Sequence, residues 1–278
     1  LLTNTTGGQN VALGLQTLYY NTTASNNTAV GHVAMTYNTT GASNVAVGAD
    51  SLFRNTTASN NTAVGYKAGY ANTTGYNNLF AGVSAGDSNT TGAVNAFSGS
   101  YSGATNTTGS SNTAYGAESL YSNTTASNNT AVGYQAGYTN VTGSPITAIG
   151  YRALYLSTGN SNTAVGYSTL QQTSSGAANT GLGHMALHNN TTASYNTAVG
   201  YQAGYANTVG TRNAVLGYAA LSADTKGSRS VAIGLSALLA QNFTTATDVY
   251  NTAVGAVAGA SITTGINNTL IGGLAGDA

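Results

Sequence analysis

Cysteine and tryptophan are absent, and proline occurs once, at Pro145. Without cysteine the chain has neither disulfide nor thiolate chemistry. Charge is nearly missing as well: six Lys and Arg balance six Asp and Glu, and charged residues make up 4% of the chain, against roughly 25% in ordinary soluble domains. Electrostatic binding of nucleic acid needs clustered Lys and Arg to displace counterions, so that class is excluded. The net charge that keeps small domains apart in solution is lacking too, and a neutral surface rich in Asn and Thr is expected to be paired in an assembly. No apolar run reaches the ~18 residues of a transmembrane helix, and no signal peptide is visible. The carboxylates are scattered singly, which leaves paired acid/base catalysis unsupported.

What the chain has is a period. A glycine falls at Gly14, Gly31, Gly48, Gly65, Gly82, Gly99, Gly116, Gly133, Gly150, Gly166, Gly183, Gly200, Gly217, Gly234, Gly255 and Gly272. Every interval is 17 residues except the 16 from Gly150 to Gly166 and the 21 from Gly234 to Gly255. A fixed period of this size predicts a solenoid in which each repeat is one coil. The expected fold is all-β: a single parallel β-solenoid of about sixteen 17-residue coils over residues 1–278, roughly 75 Å long at about 4.8 Å per coil. The chain starts and stops in mid-coil without a capping sequence, so it is expected to be uncapped at both ends, as a piece of a longer array or a unit that stacks end to end. A longer period overlies the short one. Segments 51–75, 119–143 and 186–210 are nearly the same, as duplication of a four-coil block would make them. The long interval places a bulging loop at 243–249.

Four residues before the glycine stands an Asn in 14 coils: Asn10, Asn27, Asn44, Asn61, Asn78, Asn95, Asn112, Asn129, Asn162, Asn179, Asn196, Asn213, Asn251 and Asn268. Stacked coils align identical side chains, so this column predicts a buried structural Asn ladder passing amide hydrogen bonds from coil to coil. Thr or Val, then Ala, then Val, Ile or Leu follow the Asn. This reads as a short strand with its Thr and Val positions inward and its Ala column outward, where a second backbone could approach. Leu79-Phe80-Ala81 and Ala96-Phe97-Ser98 move the bulk to the middle position, a local repacking rather than a site. After the glycine a second strand is expected. Its charged second position (Asp50, Lys67, Glu118, Arg152) would face solvent, with Tyr, Ala and Tyr facing the core. A one-residue slip at the glycine would instead expose the Tyr columns. The Asn-Thr-Thr loop is turn chemistry. It also spells the acceptor pattern for N-glycosylation, at Asn21, Asn38, Asn55, Asn72, Asn89, Asn106, Asn123 and Asn190.

No catalytic, cofactor or metal residue emerges, and the chain is expected not to be an enzyme. Gly82-Val83-Ser84-Ala85-Gly86 fits the Gly-x-Ser-x-Gly pattern but lacks its strand-to-helix context. His32, His184 and His188 are the only histidines. On a strand the last two would stand about 13 Å apart, too far for one metal, although one His per chain could meet on a threefold axis.

Ser230-Val231-Ala232-Ile233-Gly234-Leu235-Ser236-Ala237 resembles the head repeat of trimeric autotransporter adhesins of the YadA type, and Asn-Thr-Ala-Val-Gly-Tyr-Gln-Ala is similar with Thr for Val. The array also resembles the shafts of phage-type tail fibres. The resemblance implies a left-handed β-roll, a homotrimer, and a collagen- or matrix-binding role in some members. The expected function is therefore a structural or adhesive fibre segment, extracellular, on a cell surface or phage-like particle. It would assemble as a trimer or open filament, with a surface glycan or matrix receptor as partner. The alternative is a carbohydrate- or ice-binding solenoid using a regular Thr/Asn face.

Overall fold

The computed structural model describes residues 1–276. The chain falls into two compact units, residues 1–142 and Gly143 onward. Each is a parallel β-solenoid, and no helix occurs among the described residues. The first unit carries β1 (Val11–Leu13), β2 (Thr28–Val30), β3 (Val45–Val47), β4 (Thr62–Val64), β5 (Leu79–Ala81), β6 (Ala96–Ser98), β7 (Thr113–Tyr115) and β8 (Thr130–Val132). The second carries β9 (Thr147–Ile149), β10 (Thr163–Val165), β11 (Thr180–Leu182), β12 (Thr197–Val199), β13 (Ala214–Leu216), β14 (Gly227–Ser228), β15 (Val231–Ile233), β16 (Thr247–Asp248), β17 (Thr252–Val254) and β18 (Thr269–Ile271). Neighbours pair in parallel one repeat apart, as Thr62 with Leu79 and Ala63 with Phe80. The short repeat keeps register by pairing Thr147 with Thr163. The long one pairs Val231 with Thr252, and its extra residues leave the ladder as β16, which pairs with β14. In that excursion Phe243 and Val249 are buried while Thr244 to Ala246 face solvent.

The strand faces are the reverse of the expectation. The Ala column (Ala29, Ala46, Ala63, Ala114, Ala131, Ala148, Ala164, Ala198, Ala232, Ala253) is buried, and the Thr and Val positions on either side face outward. The reason is the opposite wall. Four residues after the glycine stand Leu18, Met35, Leu52, Leu120, Leu154, Leu170, Leu187, Leu221 and Leu238, all fully or almost fully buried. A coil of 17 residues is too thin for two large side chains, so the strand centre is small where the facing residue is Leu. At three of the coils where that residue is Gly the relation inverts. A methyl group on Gly69 would lie 2.5 Å from Phe80, one on Gly86 2.3 Å from Phe80, and one on Gly103 2.5 Å from Phe97. The two rings, 6.0 Å apart, fill the space of three missing leucines.

The expected second strand is a turn. The residue two after the glycine adopts a left-handed conformation in every described coil, as does the one two further on: Lys67 has φ 55° and Leu52 φ 45°. These reversals send the N–H groups of the two left-handed residues in opposite directions along the stack, Lys67 to the Ala49 carbonyl of the previous coil and Gly69 to the Ala85 carbonyl of the next. They also break period-two alternation. The residues three and four after the glycine both point inward, and the first Tyr, such as Tyr66 or Tyr134, is exposed. Neither register is adopted: the first Tyr is exposed as in the slipped one, while the Ala two residues later, such as Ala68, is buried as in the other.

The Asn column is a ladder, with the expected amide-to-amide bonds at some steps, as Asn179 Nδ2 to Asn162 Oδ1 at 3.2 Å, and side chain–backbone bonds throughout. Asn61 Nδ2 donates to the Gly75 carbonyl at 2.9 Å, its Oδ1 accepts from the Asn78 backbone N–H at 2.9 Å, and its own N–H donates to Asn44 Oδ1 at 2.9 Å. The continuous chain of bonds runs side chain to backbone, with an amide-to-amide bond added at some steps. Twelve of the fourteen are buried, Asn10 and Asn268 being half-exposed. In the Asn61→Ala variant the Gly75 carbonyl still accepts from Asn72, but the buried Asn78 N–H loses its acceptor. A loss of about 1–3 kcal/mol is expected, read from chemical denaturation; an unchanged midpoint would contradict the ladder.

Candidate functional surface

The outward side of the strands is apolar. The residue before each glycine forms a column that in the first unit runs Leu13, Val30, Val47, Val64, Ala81, Ser98, Tyr115, Val132, and in the second Ile149, Val165, Leu182, Val199, Leu216, Ile233, Val254, Ile271. Several are widely exposed, with Val64 at 44%, Leu216 at 49% and Tyr115 at 63%. Beside it, the residue three before the glycine is mostly Thr, with Val45 and Leu79 among the exceptions. Monomeric proteins rarely leave a contiguous stripe of this kind in water.

Just past the glycine comes an aromatic column. In the second unit Tyr151, Tyr167, His184, Tyr201 and Tyr218 stack in sequence at 5.0, 4.9, 5.1 and 4.9 Å, with planes within 13° of parallel. Each inner ring has both faces covered by its neighbours, so the column shows its ring edges to solvent. A sugar ring, which stacks on an aromatic face, finds none free inside it. His188 stacks on Tyr205 at 5.3 Å in a parallel column, so the two histidines belong to separate columns on a turn rather than to one strand. No cluster of metal-ligating side chains occurs among the described residues. Ser84 is buried at a left-handed turn position common to the coils, and no histidine is among its hydrogen-bond partners.

The candidate glycosylation residues occupy a second buried ladder. Asn21, Asn38, Asn55, Asn72, Asn89, Asn106, Asn123 and Asn190 all have no exposed surface. Asn55 Nδ2 donates to Asn38 Oδ1 at 2.8 Å and to the Ala58 carbonyl at 3.0 Å, and Asn106 does the same with Asn89 and Gly109 at 2.7 and 3.0 Å. A glycan on Nδ2 would replace one of these donated hydrogens inside the wall, so the folded solenoid does not offer these amides. This column carries amide-to-amide bonds along most of its length, where the first has them at only some steps, such as Asn44 to Asn27 at 3.2 Å. Its signal in the sequence is its own 17-residue phase, which the Asn-x-Thr motif disguises. The Thr next to each Asn is equally committed: Thr39 Oγ1 donates to the Thr56 carbonyl at 3.1 Å and Thr73 Oγ1 to Thr90 at 3.0 Å. A Thr/Asn binding face therefore keeps only the strand and loop-tip threonines. In the second unit the ladder changes residue. Buried Asp224 accepts from the Gly227 and Phe243 N–H groups and from Gln241 Nε2, and Gln241 bridges onward to Ser230 and Asn251.

Five of the six Lys and Arg sit on rings. Lys67 Nζ lies 5.5 Å from the Tyr66 centroid and 5.4 Å from that of Tyr70. The Arg152 guanidinium lies 5.4 and 5.0 Å from Tyr151 and Tyr155. The Lys67 ammonium titrates above its ordinary value, first because of Tyr66, with Asp87 and Asp50 adding and burial opposing. Burial pushes the Asp87 carboxyl up, and Lys67 opposes this. Three open cavities of about 320, 420 and 370 Å³ line the first coils, all bounded by Tyr37. The first is walled by Gln16, Tyr19, Tyr20, Val33, Thr36, Tyr37, Asp50 and Phe53.

No protein-family model, curated protein or solved structure matches the chain.

Proposed function

We propose that the chain is a segment of a structural or adhesive fibre that assembles with copies of itself through the outward face of its strands. The reading rests on the apolar column before the repeat glycines, which recurs in both units and is exposed in a single chain. Eight strands at about 4.8 Å, three residues wide at about 3.3 Å each, give each unit roughly 400 Å² of face. A stable interface takes about 800 Å² per partner. Contact must therefore draw in the flanking aromatic column, or the faces of both units. The near absence of charge supports the same reading, because nothing on this face repels a second copy. A trimer is the arrangement that the likeness to the YadA-type repeats implies, and an extracellular or phage-like surface is the setting it suggests. Adhesion to a glycan or matrix receptor belongs to the same proposal.

The test is sedimentation of the whole chain beside a Val47→Lys/Val64→Lys variant. Both positions are exposed, so two lysines leave the core intact while placing unpaired charge in the interface. The wild type is expected to sediment as an oligomer, and the variant to dissociate at concentrations at least tenfold higher. A wild type that runs as a single 27.6 kDa chain would overturn the proposal.

A further inference from the structure

We infer that the first cavity is a seat for a quaternary ammonium group, a function separate from fibre assembly and complete within one chain. It exists because a ring is missing. Five residues after the repeat glycine the first four coils carry Tyr19, Thr36, Phe53 and Tyr70. Phe53 and Tyr70 stack at 5.2 Å with planes 5° apart. Thr36 leaves the next place in the column empty, between Tyr19 and Phe53. Those two rings are two coils apart, about 9.6 Å. A trimethylammonium group between them would lie about 4.8 Å from each, inside the ~6 Å reach of a cation–π contact.

The remaining walls suit the same ligand. Tyr20 and Tyr37 stack on each other at 5.4 Å, and each meets its neighbour in the interrupted column edge-on: Tyr19 at 4.8 Å and Phe53 at 5.0 Å. Four rings thus surround the gap. The Thr36 hydroxyl is turned into the wall, donating to the Val33 carbonyl at 2.8 Å, and offers no competing donor. On the remaining side lies Asp50, half-buried, whose carboxylate accepts no hydrogen bond and closes no salt bridge among the described residues. Lys67 feels Asp50 at longer range, but its ammonium lies on the rings of Tyr66 and Tyr70. No Lys or Arg lines the cavity.

The chain supplies its own comparison. At Lys67 and Arg152 a cation two residues after the glycine rests on the flanking tyrosines of the same coil. In the first three coils that position holds Gln16, Val33 and Asp50. The residue after the glycine there is Leu15, His32 and Ala49, so the gap's rings come from the neighbouring columns instead, no resident cation covers them, and an acid stands nearby. A cavity of about 320 Å³ is at the small end for a ligand site, which fits a choline-sized cation.

The experiment is an NMR titration of the full chain with choline and, separately, with 3,3-dimethyl-1-butanol, its uncharged carbon analogue. Choline is expected to bind at least about tenfold more tightly. Asp50→Asn is expected to weaken choline roughly fivefold without changing the neutral analogue. Thr36→Tyr fills the gap with the residue that other coils carry at this position, and should abolish binding while the variant stays folded. Equal affinity for the two probes would overturn the inference, as would choline binding that survives Thr36→Tyr or no choline binding up to ~50 mM. Phosphocholine in place of choline then separates a lipid headgroup from the free base. Equal binding assigns the site to the headgroup, and loss of binding beside a retained choline signal assigns it to the free cation. Because the site closes within one chain, it should bind equally in the Val47→Lys/Val64→Lys variant, so failure of the assembly reading leaves it standing.

Discussion

Gly65→Ala is expected to unfold the coils around it. A Cβ at this position would stand 2.5 Å from the Gly82 carbonyl oxygen and 2.7 Å from its carbon. Both are backbone atoms held by the ladder, so no side chain can swing away. The residue also has φ 137°, a region that a side chain does not enter without strain. Strain and overpacking each cost about 1–3 kcal/mol, and here they add. A loss of about 3 kcal/mol or more is expected, seen as a large fall in the thermal midpoint. Because each coil touches only its neighbours, the loss should spread to the adjoining coils first, which hydrogen exchange would map. Gly8→Ala is the control: nothing lies within 4 Å of its Cβ and its φ is not in the left-handed range. A Gly65→Ala chain that melts like the Gly8→Ala chain would mean that the glycine column is compositional, not steric.

The same contact explains why the period is legible in the sequence alone. A backbone-on-backbone approach admits one residue type, so glycine recurs almost without exception, and its spacing marks the coils even where they are 16 or 21 residues long. The strands and the first Asn column follow from that phase. The facing of the side chains does not. Thr-Ala-Val alternates equally well in either sense, and a small apolar residue reads as an outward contact or as an inward one with Leu opposite. The left-handed residues two and four after the glycine hide the turn behind an apparent second strand, because Lys67, Gln135 or Leu52 carries no composition signal for a positive φ. At Asn55 and Asn72 the glycosylation motif points to solvent, while their phase belongs to the buried wall. Of the candidate surface, the exposed tyrosines are visible only as the slipped alternative. The cavity beside Thr36 requires knowing that rings five residues after the glycine stack.

One pattern decides the strand facing from the sequence. Where the strand centre is Phe, the residue four after the glycine is Gly, as at Phe80 with Gly86 and Phe97 with Gly103; where it is Ala, that residue is often Leu, as at Ala46 with Leu52 and Ala114 with Leu120. Residues that trade volume share a space, so both point inward. Phe80 is fully buried, and Phe80→Ala is expected to cost about 3–5 kcal/mol by leaving a cavity beside Gly69 and Gly86. Gly69→Leu alone puts its Cβ 2.5 Å from the Phe80 ring and is expected to cost about 1–3 kcal/mol by overpacking. Its backbone is not the obstacle, since Leu52 and Leu120 hold the same left-handed turn. The double variant rebuilds the ordinary pairing of Ala with Leu. With the ring gone, the nearest neighbour of the side chain that Gly69→Leu introduces is Leu52, 3.0 Å from its Cβ. That neighbour is a flexible end, and the buried leucines of consecutive coils, Leu170 and Leu187, show that two such side chains fit. Independent effects would sum to about 4–8 kcal/mol. Shared space predicts a double variant that loses no more than about 3 kcal/mol, a coupling of at least about 1 kcal/mol between residues eleven apart in sequence. Denaturation of the four chains closes the cycle, and strict additivity would place the Phe80 ring and Gly69 in separate compartments, against the facing described for every coil.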